Sequence, residues 1–158
     1  MYEVRVATAK DVIGVRDVAI KAWYNTYLNI YTSKTVNALL AASYNEDHLL
    51  KRFETQLFLV AVEDGDIVGF ANFINGHELY LSAHYVRPES QHHGYGQDLL
   101  DKSLEHFKGK YDAVYLEVDQ KNTEAVQFYE ARGFEQLRMY EREMYEETMQ
   151  LALLKKAL

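Results

Sequence analysis

Apolar and β-branched residues alternate through residues 2–7, YEVRVA, which predicts a first strand. Thr8 followed by Asp11 resembles a capping box with Asp in place of Glu, opening a helix through about Ala22. Val12, Val15, Ala19 and Trp23 lie on one face of that helix. The aromatic run from Trp23 to Tyr31, WYNTYLNIY, fits neither period. Helical spacing returns from Ser33 to about Phe53, with a break expected near Asn45. Residues 57–63, LFLVAVE, read as a strand, and Asp64-Gly65 as a hairpin turn. The partner strand runs from about Ile67 to Ile74 and ends at a second turn, Asn75-Gly76. A third strand, about Glu78 to Val86, completes an antiparallel meander that Pro88 stops, because proline cannot donate to the ladder.

Beyond a loop, Leu99, Leu100, Leu104 and Phe107 mark a helix that ends at Gly109. Residues 112–118, DAVYLEV, read as another strand. Thr123 to Ala131 form a short helix with Gly133 as its C-terminal cap. Phe134 begins an extended segment, and Leu151 to Leu158 supply a last strand. The order β-α-α-β-β-β-α-β-α-β-β contains no repeat and no linker, so residues 1–158 read as one α+β domain.

Composition removes several chemistries. With no cysteine there is no disulfide, thiol nucleophile or thiolate metal site. His77 and His84 do not form an HExxH pattern with Glu78, so no metal site is expected. The formal charge of -7 disfavours a nucleic-acid partner and suits a cationic one. No apolar run is long enough for a membrane span, and the start, MYEVRVATAKDV, lacks a secretory pattern. A cytoplasmic protein without a membrane partner is therefore expected. The 13 tyrosines are numerous enough to line a pocket as well as a core edge.

The chemistry-bearing stretch is QHHGYGQDLL, where Gly94 and Gly96 precede a helix. A Walker loop needs Lys-Ser/Thr after its last glycine, and Gln97-Asp98 stands there instead. A dinucleotide fingerprint needs a third small residue where Leu99 stands, and a tight strand-to-helix turn. Two readings are left: a plain turn, or unpaired helix N-terminal amides that hold an anion.

Tyr85-Val86-Arg87-Pro88, then Gln91-x-x-Gly94-x-Gly96 and an apolar helix, resembles the acetyl-CoA motif of the GCN5-related N-acetyltransferase (GNAT) family. A second stretch, Asn122-Thr123-Glu124-Ala125-Val126-Gln127-Phe128-Tyr129-Glu130-Ala131-Arg132-Gly133-Phe134, is similar to that family's N-x-x-A-x-x-F-Y-x-x-x-G-F element. The resemblance implies a mixed, largely antiparallel sheet of about six to seven strands flanked by helices. Two central strands should splay into a V that receives acetyl-CoA. It further implies that backbone groups of Tyr85 and Val86 pair with the pantetheine arm, while Asn122 hydrogen-bonds it. Amides across Gln91, His92, His93, Gly94, Tyr95, Gly96 and Gln97 then hold the pyrophosphate. His93 departs from the pattern, since Lys or Arg usually precedes the first glycine.

Tyr129 stands where the family places a general acid near the CoA sulfur, and it also contacts the cofactor there. A hydroxyl protonated at neutral pH suits that task. In histone-type members a strand glutamate is the base, but Tyr80 holds that position here. Glu78, two residues earlier on the same face, and Glu117 on the next strand are the candidate bases, with a water chain as the alternative. Trp23, Tyr24 and Tyr27, the Ser33–Phe53 helices and the tail from Tyr145 to Leu151 are similar to a subset of bacterial polyamine N-acetyltransferases. Trp23, Tyr24, Tyr27 and Tyr80 thus become candidate contacts for a small amine acceptor. Another amine (an amino-acid derivative, an aminoglycoside or a protein amine) and a non-catalytic CoA sensor are the alternatives. The expected assembly is a monomer or a homodimer.

Overall fold

The computed structural model describes residues 1–158, and its strands form one sheet. They are β1 (Tyr2–Val6), β2 (Leu57–Glu63), β3 (Asp66–Asn75), β4 (Leu79–Val86), β5 (Ala113–Asp119), β6 (Glu135–Met144) and β7 (Glu147–Ala157). The sheet order is β1-β2-β3-β4-β5-β7-β6, antiparallel throughout except for the central β4–β5 pair. The helices are α1 (Val12–Tyr27), α2 (Ser33–Ser43), α3 (Glu46–Thr55), α4 (Tyr95–Phe107) and α5 (Thr123–Ala131). This is the mixed seven-stranded α+β architecture that the resemblance implied. No helix is long and apolar enough to cross a membrane.

Strand alternation sends side chains to two separate cores. Phe58, Val60 and Phe70 pack with Val15, Val18, Val36 and Leu49 on the side of α1–α3. Leu59, Ala61, Phe73, Val114 and Leu116 pack with Leu99, Leu100 and Phe107 on the side of α4, and with Tyr129 of α5. β2 is thus covered on both faces, which explains why LFLVAVE is continuously apolar.

Several boundaries differ from the sequence expectation. α1 continues past Ala22 to Tyr27, taking in Trp23 and Tyr24. Its buried face, Val15, Val18, Ala19 and Ala22, is prolonged by Tyr27, whose ring lies 4.3 Å from that of Trp23. Packing there outweighs the weak helix propensity of the aromatic run. The capping pair Thr8/Asp11 opens a short 3-10 turn rather than α1 itself, with the Thr8 N–H donating to Asp11 at 2.8 Å. Asn45 does break the second helical stretch, accepting from the His48 N–H as the N-cap of α3. β4 starts at Leu79, leaving Glu78 in the preceding turn, and β7 starts at Glu147 rather than Leu151.

Two features of β4 shape the site. Its pairing with β5 is confined to Leu79↔Val114 and Tyr80↔Tyr115, after which the two strands diverge. Its register with β3 also shifts, with Phe73 facing Leu81 and Asn72 facing Ala83. Ser82 is the extra residue of that bulge, and it reverses the alternation. Leu79 and Leu81 therefore face the α4 side, whereas Ala83 and Tyr85 face α1.

Candidate active site

The divergence of β4 and β5 opens a cleft of about 710 Å³ between Leu81–Val86 and Leu116–Asp119. Its floor is the N-terminus of α4, where Gly94 is the N-cap and no side chain caps the helix. The first backbone donor satisfied there is Asp98, bonded to the Gly94 carbonyl at 3.0 Å. The N–H groups of Tyr95, Gly96 and Gln97 lie ahead of it in the first turn, where intrahelical acceptors are lacking. They line the cleft together with the positive end of the helix dipole. Gly94 holds φ +78°, a left-handed conformation that glycine adopts without strain. Gly94→Ala is expected to lower stability by about 1 kcal/mol, read as a lower urea midpoint at unchanged slope.

Asn122 is the N-cap of α5. Its Oδ1 accepts from the Ala125 N–H at 3.2 Å, and its Nδ2 reaches the Tyr27 hydroxyl at 3.4 Å. Tyr129, about two turns of α5 further on, lines the same cleft as His84 of β4. His84 lies with Nδ1 2.9 Å from the Tyr129 hydroxyl and Nε2 2.9 Å from the Gly96 carbonyl. Burial pushes the imidazole down to about 4. The same burial raises the Tyr129 phenol well above its ordinary value, so it stays protonated through neutral pH.

A second cavity, of about 410 Å³, lies on the α1–α3 side of the sheet. The two cavities share Tyr27, Ser82, Tyr85, Glu117 and Asp119, so they meet where β4 and β5 separate. Trp23 and Tyr80 line the second cavity only. Glu117 receives two hydrogen bonds from Arg142, at 2.9 and 2.7 Å, and one from the Tyr140 hydroxyl. Burial alone would raise its carboxyl, but Arg142, Tyr140 and Tyr80 together hold it below the usual carboxylate range. Asp119 is buried and accepts from the Tyr31 hydroxyl and from the Lys121 N–H at 2.9 Å.

The structure gathers Tyr85, Val86, Gln91, His92, Gly94, Tyr95, Gly96, Gln97, Glu117, Asn122 and Tyr129 around the first cleft. Glu78, His93 and Tyr24 line neither cavity. Glu78 is exposed in the β3–β4 turn, because β4 begins only at Leu79 and its alternation of faces does not reach back to Glu78. His93 stacks on Tyr95 with ring centroids 5.7 Å apart, and Tyr24 bonds to Asn37. His84 and Arg132 line the cleft without having been assigned to it from the sequence. His84 is one polar position inside an apolar strand, and nothing local marks it. Arg132 lies over the Phe128 ring at 3.8 Å and donates to the Phe128 carbonyl and Gln97, adding a cation beside the α4 terminus.

Comparison with known proteins matches this geometry to one family. A family model described as "Acetyltransferase (GNAT) family" matches residues 19–134. The chain is 27% identical over 140 residues to a spermidine N(1)-acetyltransferase of Thermoplasma acidophilum, covering 84% of this chain and 87% of that protein. It is 35% identical over 72 residues to the Escherichia coli peptidyl-lysine N-acetyltransferase YiaC, covering 46% of this chain and 45% of that one. Among solved structures, the PaiA N-acetyltransferase of Thermoplasma acidophilum, in complex with coenzyme A, superposes with a TM-score of 0.86 at 23% identity. That match spans 100% of this chain and 99% of the other. With a family model covering most of its length, the chain belongs to the GNAT family of acetyltransferases and is an acetyl-CoA-dependent N-acetyltransferase.

Proposed function

We propose that the enzyme moves the acetyl group of acetyl-CoA to a primary amine of a small cationic polyamine, by direct attack in a ternary complex. The observation that carries this reading is the meeting of the two cavities at Tyr27, Ser82, Tyr85, Glu117 and Asp119. A donor lying along β4, with its pyrophosphate on the uncapped α4 terminus, brings its thioester to that junction from one side. An amine entering through the second cavity reaches it from the other. Holding both reactants in line removes most of the entropic cost of a bimolecular step.

The roles follow from the chemistry of transfer. The neutral amine nitrogen forms the new C–N bond, and the C–S electron pair leaves on sulfur. Tyr129 supplies the proton that sulfur takes, and the proton released by the amine passes through water to restore the phenol. Glu117, kept ionised by Arg142 and its two tyrosine neighbours, is a weak base but a firm anion. Its task in this reading is to draw the acceptor's ammonium group to the junction, with water taking the proton. The aromatic rings of Trp23, Tyr27 and Tyr80 add faces against which a cation is attracted. The resemblance to a spermidine N(1)-acetyltransferase over most of the chain supports the same acceptor class.

The test is thiol release from acetyl-CoA across spermidine, spermine, free amino acids, an aminoglycoside and a lysine peptide. Spermidine or spermine is expected to exceed the lysine peptide by about tenfold or more in kcat/KM. A preference for the lysine peptide would move the enzyme to protein acetylation, in keeping with its partial likeness to YiaC.

A further inference from the structure

We propose that His84 is a positioning residue that sets the Tyr129 hydroxyl and ties it to the first turn of α4. The inference rests on the reading of Tyr129 as the proton donor to the departing sulfur.

Hydrogen-bond direction carries the argument. The Gly96 carbonyl, 2.9 Å from Nε2, can only accept, so Nε2 bears the imidazole proton. A neutral imidazole then has a single lone pair, on Nδ1, and Nδ1 lies 2.9 Å from the Tyr129 hydroxyl. That hydroxyl must donate. Its hydrogen is turned towards His84 and its oxygen lone pairs are left for the cleft.

The phenol is fixed on its other sides as well. Its ring meets Phe128 edge-on at 5.2 Å and Phe134 at 5.4 Å, and it is only 9% exposed. The proton therefore reaches the sulfur by rotation of the O–H bond alone, with no movement of the ring. The chain of contacts Gly96–His84–Tyr129 joins the helix turn that receives the pyrophosphate to the atom that protonates sulfur. The β4 bulge makes this possible: reversed alternation after Ser82 turns His84 to the α4–α5 side, away from Tyr85.

Two substitutions separate the two ends of this bridge. His84→Gln keeps a donor near the Nε2 position for Gly96 and leaves Tyr129 without an acceptor. His84→Asn places an amide oxygen near the Nδ1 position for Tyr129 and abandons Gly96. With the amine most active in the acceptor panel, His84→Gln is expected to lower kcat about tenfold while the acetyl-CoA Kd stays within about twofold. His84→Asn should recover kcat to within about threefold of the wild type. In a Tyr129→Phe background, His84→Gln should change kcat by less than about twofold, because the group it positions is gone.

Equal losses in both backgrounds, or losses of kcat and acetyl-CoA affinity together, overturn the proposal and leave His84 a packing residue. A Tyr129→Phe variant with wild-type kcat overturns the acid assignment instead, whatever His84 does. Long-range 1H–15N spectra of the wild-type protein provide a check that needs neither turnover nor folded variants. The Nε2–H tautomer is expected, and an Nδ1–H tautomer at His84 overturns the proposal.

Discussion

Tyr129→Phe is expected to lower kcat about 100-fold while leaving the acetyl-CoA Kd within about twofold. The change deletes one oxygen from a residue that lines the first cleft. General acid catalysis contributes about 10²–10⁴-fold, and the lower figure corresponds to about 2.7 kcal/mol at 25 °C. The effect falls on kcat because sulfur needs the proton only as the C–S bond breaks, not while the thioester is intact. Burial raises the phenol, so a proton donor at this position would stay loaded across the range in which an amine loses its proton. The pH–rate curve should therefore rise with amine deprotonation, without a descending limb from Tyr129 below about pH 9. The variant also leaves Nδ1 of His84 without its partner, at a stability cost of about 1 kcal/mol that urea unfolding measures separately. Equal kcat in the two proteins removes Tyr129 from the chemistry.

The legible parts of this protein are those in which local rules and tertiary demands coincide. Asp64-Gly65 turns the β2–β3 hairpin with both residues at positive φ, and Gly94 stands where α4 begins, because few other residues tolerate those angles. The apolar face of α4, Leu99, Leu100, Leu104 and Phe107, is the face that the sheet buries. The illegible parts are those in which distant packing decides. Tyr145 and Glu146 turn the β6–β7 hairpin at positive φ without a Gly or Asn to announce it. The start of β7 was therefore hidden from residue patterns. The bulge at Ser82 carries no mark in LYLSAHYV, yet it decides which side chains of β4 share a face. Counting by twos from Tyr80 cannot cross it. The same irregularity hides His84, whose partners Gly96 and Tyr129 lie 12 and 45 residues away. The splay is legible only through the family resemblance, since no periodicity distinguishes a strand paired over two residues from one paired along its length.

A second large effect is expected on stability rather than rate. Folding holds His84 down to about 4, against 6.5 for an ordinary histidine, because burial disfavours the imidazolium. The unfolded chain takes up a proton on this ring below about pH 6.5 while the folded chain resists it. The stabilisation is thus fully present above about pH 6.5 and is lost as pH falls towards 4. The loss should reach about 2 kcal/mol near pH 5 and about 3 kcal/mol once both states are protonated. Asp11 and Glu117 work in a lower window. Arg5 holds Asp11 below its ordinary value, and Arg142 with two tyrosines does so for Glu117 against the opposing effect of burial. Their contributions are present above the ordinary carboxylate range and disappear only as pH falls through and beneath it. Urea unfolding between about pH 7.5 and 5 therefore isolates the histidine. In His84→Gln that part of the curve should flatten, since an amide does not titrate, even though the variant is less stable at pH 7.5. A wild-type curve as flat as the variant's would mean that the folded chain accepts the imidazolium. Below about pH 6.5 Nδ1 would then carry a proton of its own, the Tyr129 hydroxyl would no longer be obliged to donate to it, and the bridge from α4 to Tyr129 would keep its direction only at higher pH.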